Sequence, residues 1–263
     1  MKPLHQIVVF ISISISIFIL FLPACTTLAV GTTATSLPEA TKTPLSRQVM
    51  LTFISFKEEG QSPVYTIASQ TPKLSGSEDA RVQDFNKQAA GLIQSEVEYF
   101  RKNILSEMPD NSGTGNSSFN TQYTLIFQGG AVWSLKFDFA GYAEGAVHPY
   151  HYSISFNYDL EQGRKLSLGE LFPPDSDYLE VISRYCIAEL SKRDIGFYGG
   201  FQQGAEPTPD NYRNWNITAD GLMITFDEYQ VGPYAVGPQS VTIPYRELTS
   251  LINPQSPLAM FPH

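Results

Sequence analysis

Cysteine is scarce in this 263-residue sequence, which contains Cys25 and Cys186 and no other. Cys25 follows a hydrophobic N-terminal segment and is predicted below to carry a lipid, so Cys186 has no partner for an intrachain disulfide bond. Removal of residues 1–24 leaves 263 − 24 = 239 residues, which are ample for a hydrophobic core. We therefore expect packing of apolar side chains to stabilise the fold without disulfide bonds.

Basic residues are also few. Seventeen Lys and Arg side chains stand against 26 Asp and Glu side chains, for a net charge of −9. Without residues 1–24, which include Lys2, the count becomes 16 against 26, or −10. Such a surface repels phosphate backbones and anionic lipid headgroups. Nucleic acid is therefore excluded as a partner.

Catalytic signatures are missing from the sequence. It contains no Ser-centred nucleophile elbow, no zinc-enzyme signature and no phosphate-binding glycine loop. His148 and His151 are the only histidines inside the predicted folded region, and Asp138 and Glu144 are acids near them in sequence. The sequence predicts a protein that is not an enzyme and uses no cofactor. A hydrolase with one of these histidines as its base is the alternative.

The two histidines also raise the question of a metal site, because histidines on one helical turn can bind a metal ion together. Pro149 and the strand-like residues around it argue against a helix, and residues three apart on a strand face opposite sides of the sheet. His148 is therefore predicted to stabilise a turn, with no metal bound. The adjacent acids Asp227 and Glu228 are typical of a solvated turn and not of a catalytic pair.

The N-terminus indicates export. Lys2 and the apolar run Ile7–Leu22 are typical of a secretory signal, and the run is shorter than the roughly 20 residues of a transmembrane helix. Residues 22–25, Leu-Pro-Ala-Cys, resemble a bacterial lipobox, which implies that Cys25 carries a diacylglycerol. We expect an exported lipoprotein on the extracytoplasmic side of the cell membrane or outer membrane. An ordinary secretory signal with an incidental cysteine is the alternative.

Hydrophobic periodicity outlines the first half of the folded region. Val49–Phe56 and Val64–Gln70 are predicted to pair as a β-hairpin. Ser77 is predicted to cap a long amphipathic helix. Its apolar side chains recur at every third or fourth position: Val82, Phe85, Ala89, Ile93, Val97, Phe100 and Ile104. Residues 109–118 contain no apolar side chain and predict a mobile surface loop.

The second half predicts strands over residues 123–127, 132–139 and 150–158, and the alternation in the last two predicts one buried and one wet face. A helix over residues 177–192 places Cys186 towards the core. Further strands are predicted over residues 215–218, 222–226 and 241–243, with a closing helix at 245–252. This order predicts an α+β fold, with antiparallel sheets carrying helices on one face and two subdomains.

Two aromatic segments are candidates for ligand contact. Tyr229 and Tyr234 lie in the Gly- and Pro-containing segment 227–238, which is either a recognition loop or a structural crossover. A second group of aromatic residues either covers the sheet or forms a flexible lip of a binding surface. Its members are Phe197, Tyr198, Phe201 and Tyr212. We predict Tyr229, Tyr234 and His148 as binding residues.

Four stretches of the second half, taken together in this order, resemble one known family. They are residues 145–149 (Gly-Ala-Val-His-Pro), 156–160 (Phe-Asn-Tyr-Asp-Leu), 166–172 and 220–248 with its Gly-Pro and Ile-Pro-Tyr pieces. The family is the domain of unknown function found at the C-terminus of the lysozyme-sensing anti-sigma factor RsiV and in the non-catalytic part of the peptidoglycan deacetylase PdaC. The resemblance implies a cell-envelope module. We do not expect sigma-factor inhibition, because this sequence starts with its export signal.

The predicted organisation follows from these observations. It comprises a signal peptide (1–24), a tether (25–47), an N-terminal α+β subdomain (48–105), a loop (106–120), the RsiV-like domain (121–252) and a tail (253–263). We expect a membrane-anchored binding or sensing module whose partner is a lysozyme-like protein or a peptidoglycan fragment. The alternatives are an envelope hydrolase or deacetylase accessory domain and a structural lipoprotein.

Overall fold

The computed structural model describes residues 44–108, 116–195 and 201–261. The predicted signal peptide, the lipidation site at Cys25, most of the tether and residues 109–115 lie outside the described residues. Phe197 and Tyr198 lie outside them as well. Within these three ranges, no helix has both the length and the apolar character that crossing a membrane requires.

Six strands form a mixed sheet in chain order. They are β1 (Met50–Gln61), β2 (Val64–Ser75), β3 (Ser117–Gly129), β4 (Val132–Tyr142), β5 (Tyr150–Asp159) and β6 (Arg164–Lys165). Neighbouring strands are antiparallel except β2 and β3, which pair in parallel over residues 65–69 and 117–121. The parallel pair arises because a helix, α1 (Ala80–Asn103), carries the chain back before β3 begins. The predicted α+β fold class is confirmed.

α1 packs on one face of this sheet and forms the first hydrophobic core. Its buried residues are Val82, Phe85, Ala89, Ile93, Val97 and Phe100, which confirms the predicted apolar stripe. Phe85 is fully buried and meets Phe156 and Tyr158 edge-to-face, with ring centroids 5.2 and 5.3 Å apart. The helix cap is Asp79 and not the predicted Ser77, because the Asp79 carboxylate accepts the backbone N–H of Arg81 at 2.9 Å.

A second sheet and a second helix form the other core. The sheet is antiparallel, with strands β7 (Trp215–Ile217), β8 (Gly221–Phe226) and β9 (Gln239–Pro244). The helix α2 (Tyr178–Leu190) and the short helix α3 (Tyr245–Leu248) contribute side chains to this core. The predicted closing helix is thus confirmed only over its first turn, and a 3-10 turn at Thr249–Leu251 follows it.

The two cores do not divide at the predicted loop 106–120. β3, which starts at Ser117, hydrogen-bonds to β2, so the six-stranded sheet continues across that boundary. Side chains of β4 and β5 also pack with α1 in the first core. The second core draws on residues after β6, together with Val132. The described residues therefore form two cores, one on each sheet, and the six-stranded sheet continues across the predicted boundary.

The face of β4 and β5 opposite α1 was predicted to be wet, and this prediction is wrong where β7 covers it. Ser134, Asn157 and Asn216 are all at most 3% exposed. The Asn216 side-chain amide donates to Ser134 Oγ and to the Leu135 carbonyl, both at 2.9 Å. Asn157 donates to the Trp215 carbonyl at 2.7 Å. A buried polar network thus connects the two sheets, and its members satisfy one another's hydrogen bonds.

Cys186 lies fully buried on α2, as predicted. Burial raises the pKa of its thiol to about 12, so the reactive thiolate is scarce at neutral pH. We expect iodoacetamide to leave the Cys186 peptide unmodified in the native protein and to modify it fully in urea, as read by mass spectrometry. Rapid modification without denaturant would contradict the buried position.

Candidate functional site

A cleft of about 440 Å³ opens on the side of the sheet opposite α1. Two rows of residues that face one another across β3, β4 and β5 contribute to it. One row is Gln122, Asp138 and Ser153, and the other is Asn120, Ala140 and His151. Asp227, Glu228 and Pro238 line it from the segment between β8 and β9. Phe139 and Tyr152 also line the cleft, so its amide, carboxylate and imidazole groups lie among apolar surface.

Two adjacent acids attach the segment 227–238 to β5. Glu228 accepts the backbone N–H of His151 at 3.1 Å and contacts the His151 ring Nδ1 at 2.9 Å. Asp227 accepts the backbone N–H of Ser153 at 2.9 Å. The Glu228 side chain is 9% exposed, and Asp227 is buried. The prediction of a solvated turn is therefore wrong, because both carboxylates bind backbone donors at the outer edge of β5.

Asp227 also accepts hydrogen bonds from two side chains. Its Oδ2 accepts from Asn214 Nδ2 at 3.0 Å and from Arg213 Nη2 at 3.1 Å. Burial raises the pKa of Asp227 above its ordinary value, while the bonds from Ser153 and Arg213 oppose that shift. This carboxylate therefore joins β5, the start of β7 and the segment 227–238 at one point.

The three predicted binding residues come together at one place, which we call the aromatic rim (His148, Tyr229 and Tyr234). The His148 and Tyr234 rings stack with centroids 3.9 Å apart. His148 Nδ1 lies 2.7 Å from the Pro149 carbonyl, which can only accept, so Nδ1 carries the proton. In the neutral ring, Nε2 then accepts the Tyr229 hydroxyl at 3.0 Å. His148 thus stabilises contacts between two loops as well as its own turn.

Tyr229 has an unusual backbone conformation. Its φ of 65° lies in the left-handed region, which non-glycine residues seldom adopt. The Tyr229 side chain remains 61% exposed although its hydroxyl is bonded to His148. Strained residues of this kind cluster at functional sites, where the surrounding structure holds them. The backbone strain therefore supports a role for the exposed Tyr229 ring.

The sequence singled out the aromatic rim. It also drew attention to the lining residues Asp138, His151, Asp227 and Glu228, but not as a binding site. Asn120 and Gln122 were not singled out, although they alternate on β3 in a pattern that marks one polar face. Phe201 and Tyr212, predicted either to cover the sheet or to form a lip, are buried in the second core and do not line the cleft. Within the described ranges, no group of three or more His, Cys, Asp or Glu residues is arranged to hold a metal ion.

Part of the chain that forms the cleft matches a known protein family. Residues 169–246 match the model of a family described as a protein of unknown function, DUF3298. The matched range includes α2, β7, β8 and the segment 227–238, but not β1 to β5. A crystal structure of a DUF3298 family member from Bacteroides fragilis has a TM-score of 0.61 and 16% identity, and covers 78% of this chain and 94% of that chain. At this identity the likeness concerns the fold alone.

Two curated relatives have enzyme names. The peptidoglycan-N-acetylmuramic acid deacetylase PdaC of Bacillus subtilis is 27% identical over 166 residues, which are 62% of this chain and 35% of PdaC. An esterase of Mycobacterium tuberculosis is 29% identical over 100 residues, which are 38% of this chain and 44% of the esterase. The chain thus spans less than half the length of either relative. The predicted relation to PdaC is confirmed, and the likeness to the lysozyme-sensing anti-sigma factor stays a prediction.

Proposed function

We propose that this protein is an exported, lipid-anchored module of the cell envelope that binds a glycan fragment of peptidoglycan in the cleft. One observation carries the proposal: a concave site lined by amides and carboxylates includes Glu228, and the exposed Tyr229 follows it directly in the chain. Similarity to an enzyme named for peptidoglycan supports this class of ligand. The lipobox-like residues 22–25 and the acidic composition support the envelope location.

Two of the three carboxylates of the cleft lie beside a basic side chain, and the third, Glu228, contacts the His151 ring. Asp138 contacts Lys136 Nζ at 2.6 Å, and Asp227 contacts Arg213 at 3.1 Å. Paired carboxylates keep lone pairs that accept hydroxyl and amide protons, while their charge is largely neutralised. Such a lining favours a neutral ligand rich in hydrogen-bond donors over a densely cationic one. Sugar hydroxyl and acetamido groups fit this requirement.

We place the apolar part of the ligand against the aromatic rim, whose Tyr229 directly follows the lining residue Glu228. Tyrosine offers a flat, rigid contact face at low entropic cost, and its hydroxyl stays available for polar contacts. The Tyr229 ring lies beside Tyr234, with centroids 5.9 Å apart. An aromatic face of this kind suits the less polar face of a sugar ring. The amides and carboxylates of the cleft would then bind the hydroxyl groups at the edge of that ring.

The size of the cleft favours a glycan fragment over a lysozyme-like protein. Pockets for small ligands measure roughly 300–1,000 Å³, a range that includes this cleft. A protein partner would instead need a flat area of about 800 Å² on each side. A lysozyme-like partner, the second sequence-based candidate, would have to bind the rim from outside with a projecting side chain in the cleft.

The Tyr229→Ala variant tests the proposal against a matched control, Tyr99→Ala on α1. Both tyrosines are similarly exposed, at 61% and 58%. Tyr229 directly follows the lining residue Glu228, whereas Tyr99 belongs to α1 on the other side of the sheet from the cleft. We expect a purified muropeptide disaccharide to bind the wild type and Tyr99→Ala equally in calorimetry, with about tenfold weaker binding to Tyr229→Ala. Equal binding to all three proteins, or no binding to the wild type, would contradict the proposal.

An envelope hydrolase or deacetylase accessory role is the second candidate, because one observation favours it. His151 lies in the cleft and is bonded to Glu228, which is the orientation a general base requires. Peptidoglycan digestion assays separate this function from simple binding. Product release that is lost in His151→Ala would identify an enzyme, whereas binding without turnover supports the glycan-binding module.

A further inference from the structure

β1 forms one edge of the six-stranded sheet and carries several exposed apolar side chains. Met50, Phe53, Ile54 and Phe56 are 67%, 56%, 54% and 44% exposed. All twelve residues of β1 pair with β2, and β1 pairs with no other strand among the described residues. A long edge strand with apolar side chains is a template on which another strand can pair.

We propose that a second copy of this chain binds here, with the two β1 strands antiparallel about a two-fold axis at Phe53. In this register Phe53 faces Phe53 of the second copy, Met50 faces Phe56, and Ile54 faces Thr52. Residues opposite one another in an antiparallel pair lie on the same side of the sheet, so Phe53 contacts Phe53 and Met50 contacts Phe56 directly. The dimer would join two six-stranded sheets into one.

The charges around β1 favour this register. The exposed Arg47 lies before the strand, whereas Glu58 and Glu59 lie near its other end. Glu58 pairs with Arg101 inside the chain, and the half-exposed Glu59 pairs with Lys57 at the surface. The two-fold axis at Phe53 brings Arg47 of each copy near Glu59 of the other, where it would share this exposed carboxylate with Lys57. An axis at Lys57 or Glu58 would instead place like charges opposite each other, which destabilises a strand pair.

A second copy suits this surface better than an unrelated strand does, because the same residues supply both halves of every contact. An isologous interface needs this self-complementarity, in which one residue contacts another and the reverse contact also forms. Met50 with Phe56 and Arg47 with Glu59 both satisfy it. The proposed dimer forms through β1 alone and does not depend on the cleft or its ligand.

Symmetric cysteine crosslinking of the full chain tests the register. In Phe53→Cys the two sulfurs would face each other across the axis, because opposing Cα atoms lie about 4.5–5.5 Å apart and disulfide bonds need about 4.4–6.8 Å. Lys57→Cys is the matched control on the same exposed strand. Its two copies would lie about 27 Å apart along the strands, since each residue adds about 3.4 Å.

We expect a disulfide-linked dimer for Phe53→Cys on a non-reducing gel, and only background for Lys57→Cys and the wild type. The wild type controls for the native cysteines. Equal crosslinking of both variants, or none above the wild type, would overturn the proposal.

Exchange of charges gives an independent measurement by analytical ultracentrifugation. Arg47→Glu and Glu59→Arg alone should each weaken the dimer about fivefold, because two symmetric ion pairs are lost. The double variant should return within about twofold of the wild type, since the pairs re-form with reversed sign. Both positions are on the surface, so folding is retained. A double variant weaker than either single variant, or a wild type that is monomeric throughout, would refute the interface.

Discussion

Replacing Asp227 with alanine is expected to lower the free energy of unfolding by about 3 kcal/mol, because it leaves buried donors without their acceptor. The Ser153 N–H and the Asn214 amide both lose their bond to this carboxylate. The segment 227–238 also loses one of its attachments to β5, so ligand binding should fall together with stability. Urea denaturation and calorimetry measure the two effects.

The loss of stability caused by Asp227→Ala should depend on pH in one direction. Burial raises the pKa of Asp227, so the folded protein binds this proton more tightly than the unfolded chain does. The contribution of Asp227 to stability therefore increases as the pH falls through the raised pKa. The destabilisation caused by Asp227→Ala should grow over that range. A destabilisation that shrinks on acidification would contradict the assigned environment.

Asp220→Ala is the matched control for this variant. Asp220 is an exposed acid in the turn between β7 and β8. Its replacement should change the free energy of unfolding by no more than about 0.5 kcal/mol, as is usual for surface positions. If both variants unfolded at the same urea concentration, the buried carboxylate would not hold the segment as described.

Asn216→Leu is expected to lower the free energy of unfolding by about 3 kcal/mol, since leucine fills a similar volume but cannot donate to buried oxygens. Asn216 is fully buried, and its amide bonds Ser134 Oγ and the Leu135 carbonyl. Removing one member of a polar network leaves the others unsatisfied at low dielectric. We expect the urea midpoint to fall with little change in slope.

Ser155→Ala gives the comparison for Asn216→Leu. Ser155 is only half-buried and makes one bond to the Asn216 side chain, at 3.1 Å. Its loss should cost about 1 kcal/mol, the usual value of a single hydrogen bond. Equal effects of the two substitutions would mean that the contact between the sheets does not depend on Asn216.

The elements that depend on local periodicity could be predicted from the sequence. α1 places apolar side chains at every third or fourth position, so its buried stripe is present in the sequence itself. The β1–β2 hairpin is equally local. The parallel pairing of β2 with β3 could not be predicted, because no periodic pattern records which distant strand lies alongside.

The candidate site could also be predicted only in part from the sequence. His148, Tyr229 and Tyr234 were each singled out, but their contact joins loops about 80 residues apart. Asp227 and Glu228 have the composition of a solvated turn, and only the fold reveals that they accept backbone N–H groups of β5. The wet face predicted for β4 was wrong at Ser134, because the pattern of one strand cannot reveal that another sheet covers it.

The two carboxylates at the outer edge of β5 have a consequence for self-assembly. Asp227 and Glu228 occupy backbone donors to which an incoming strand would otherwise bond. The described sheet is therefore blocked along this part of β5 and open for its full length only at β1. A pair closed at β1 as proposed would leave this sheet without a second full-length edge, so it would not extend into a fibre through the six-stranded sheet.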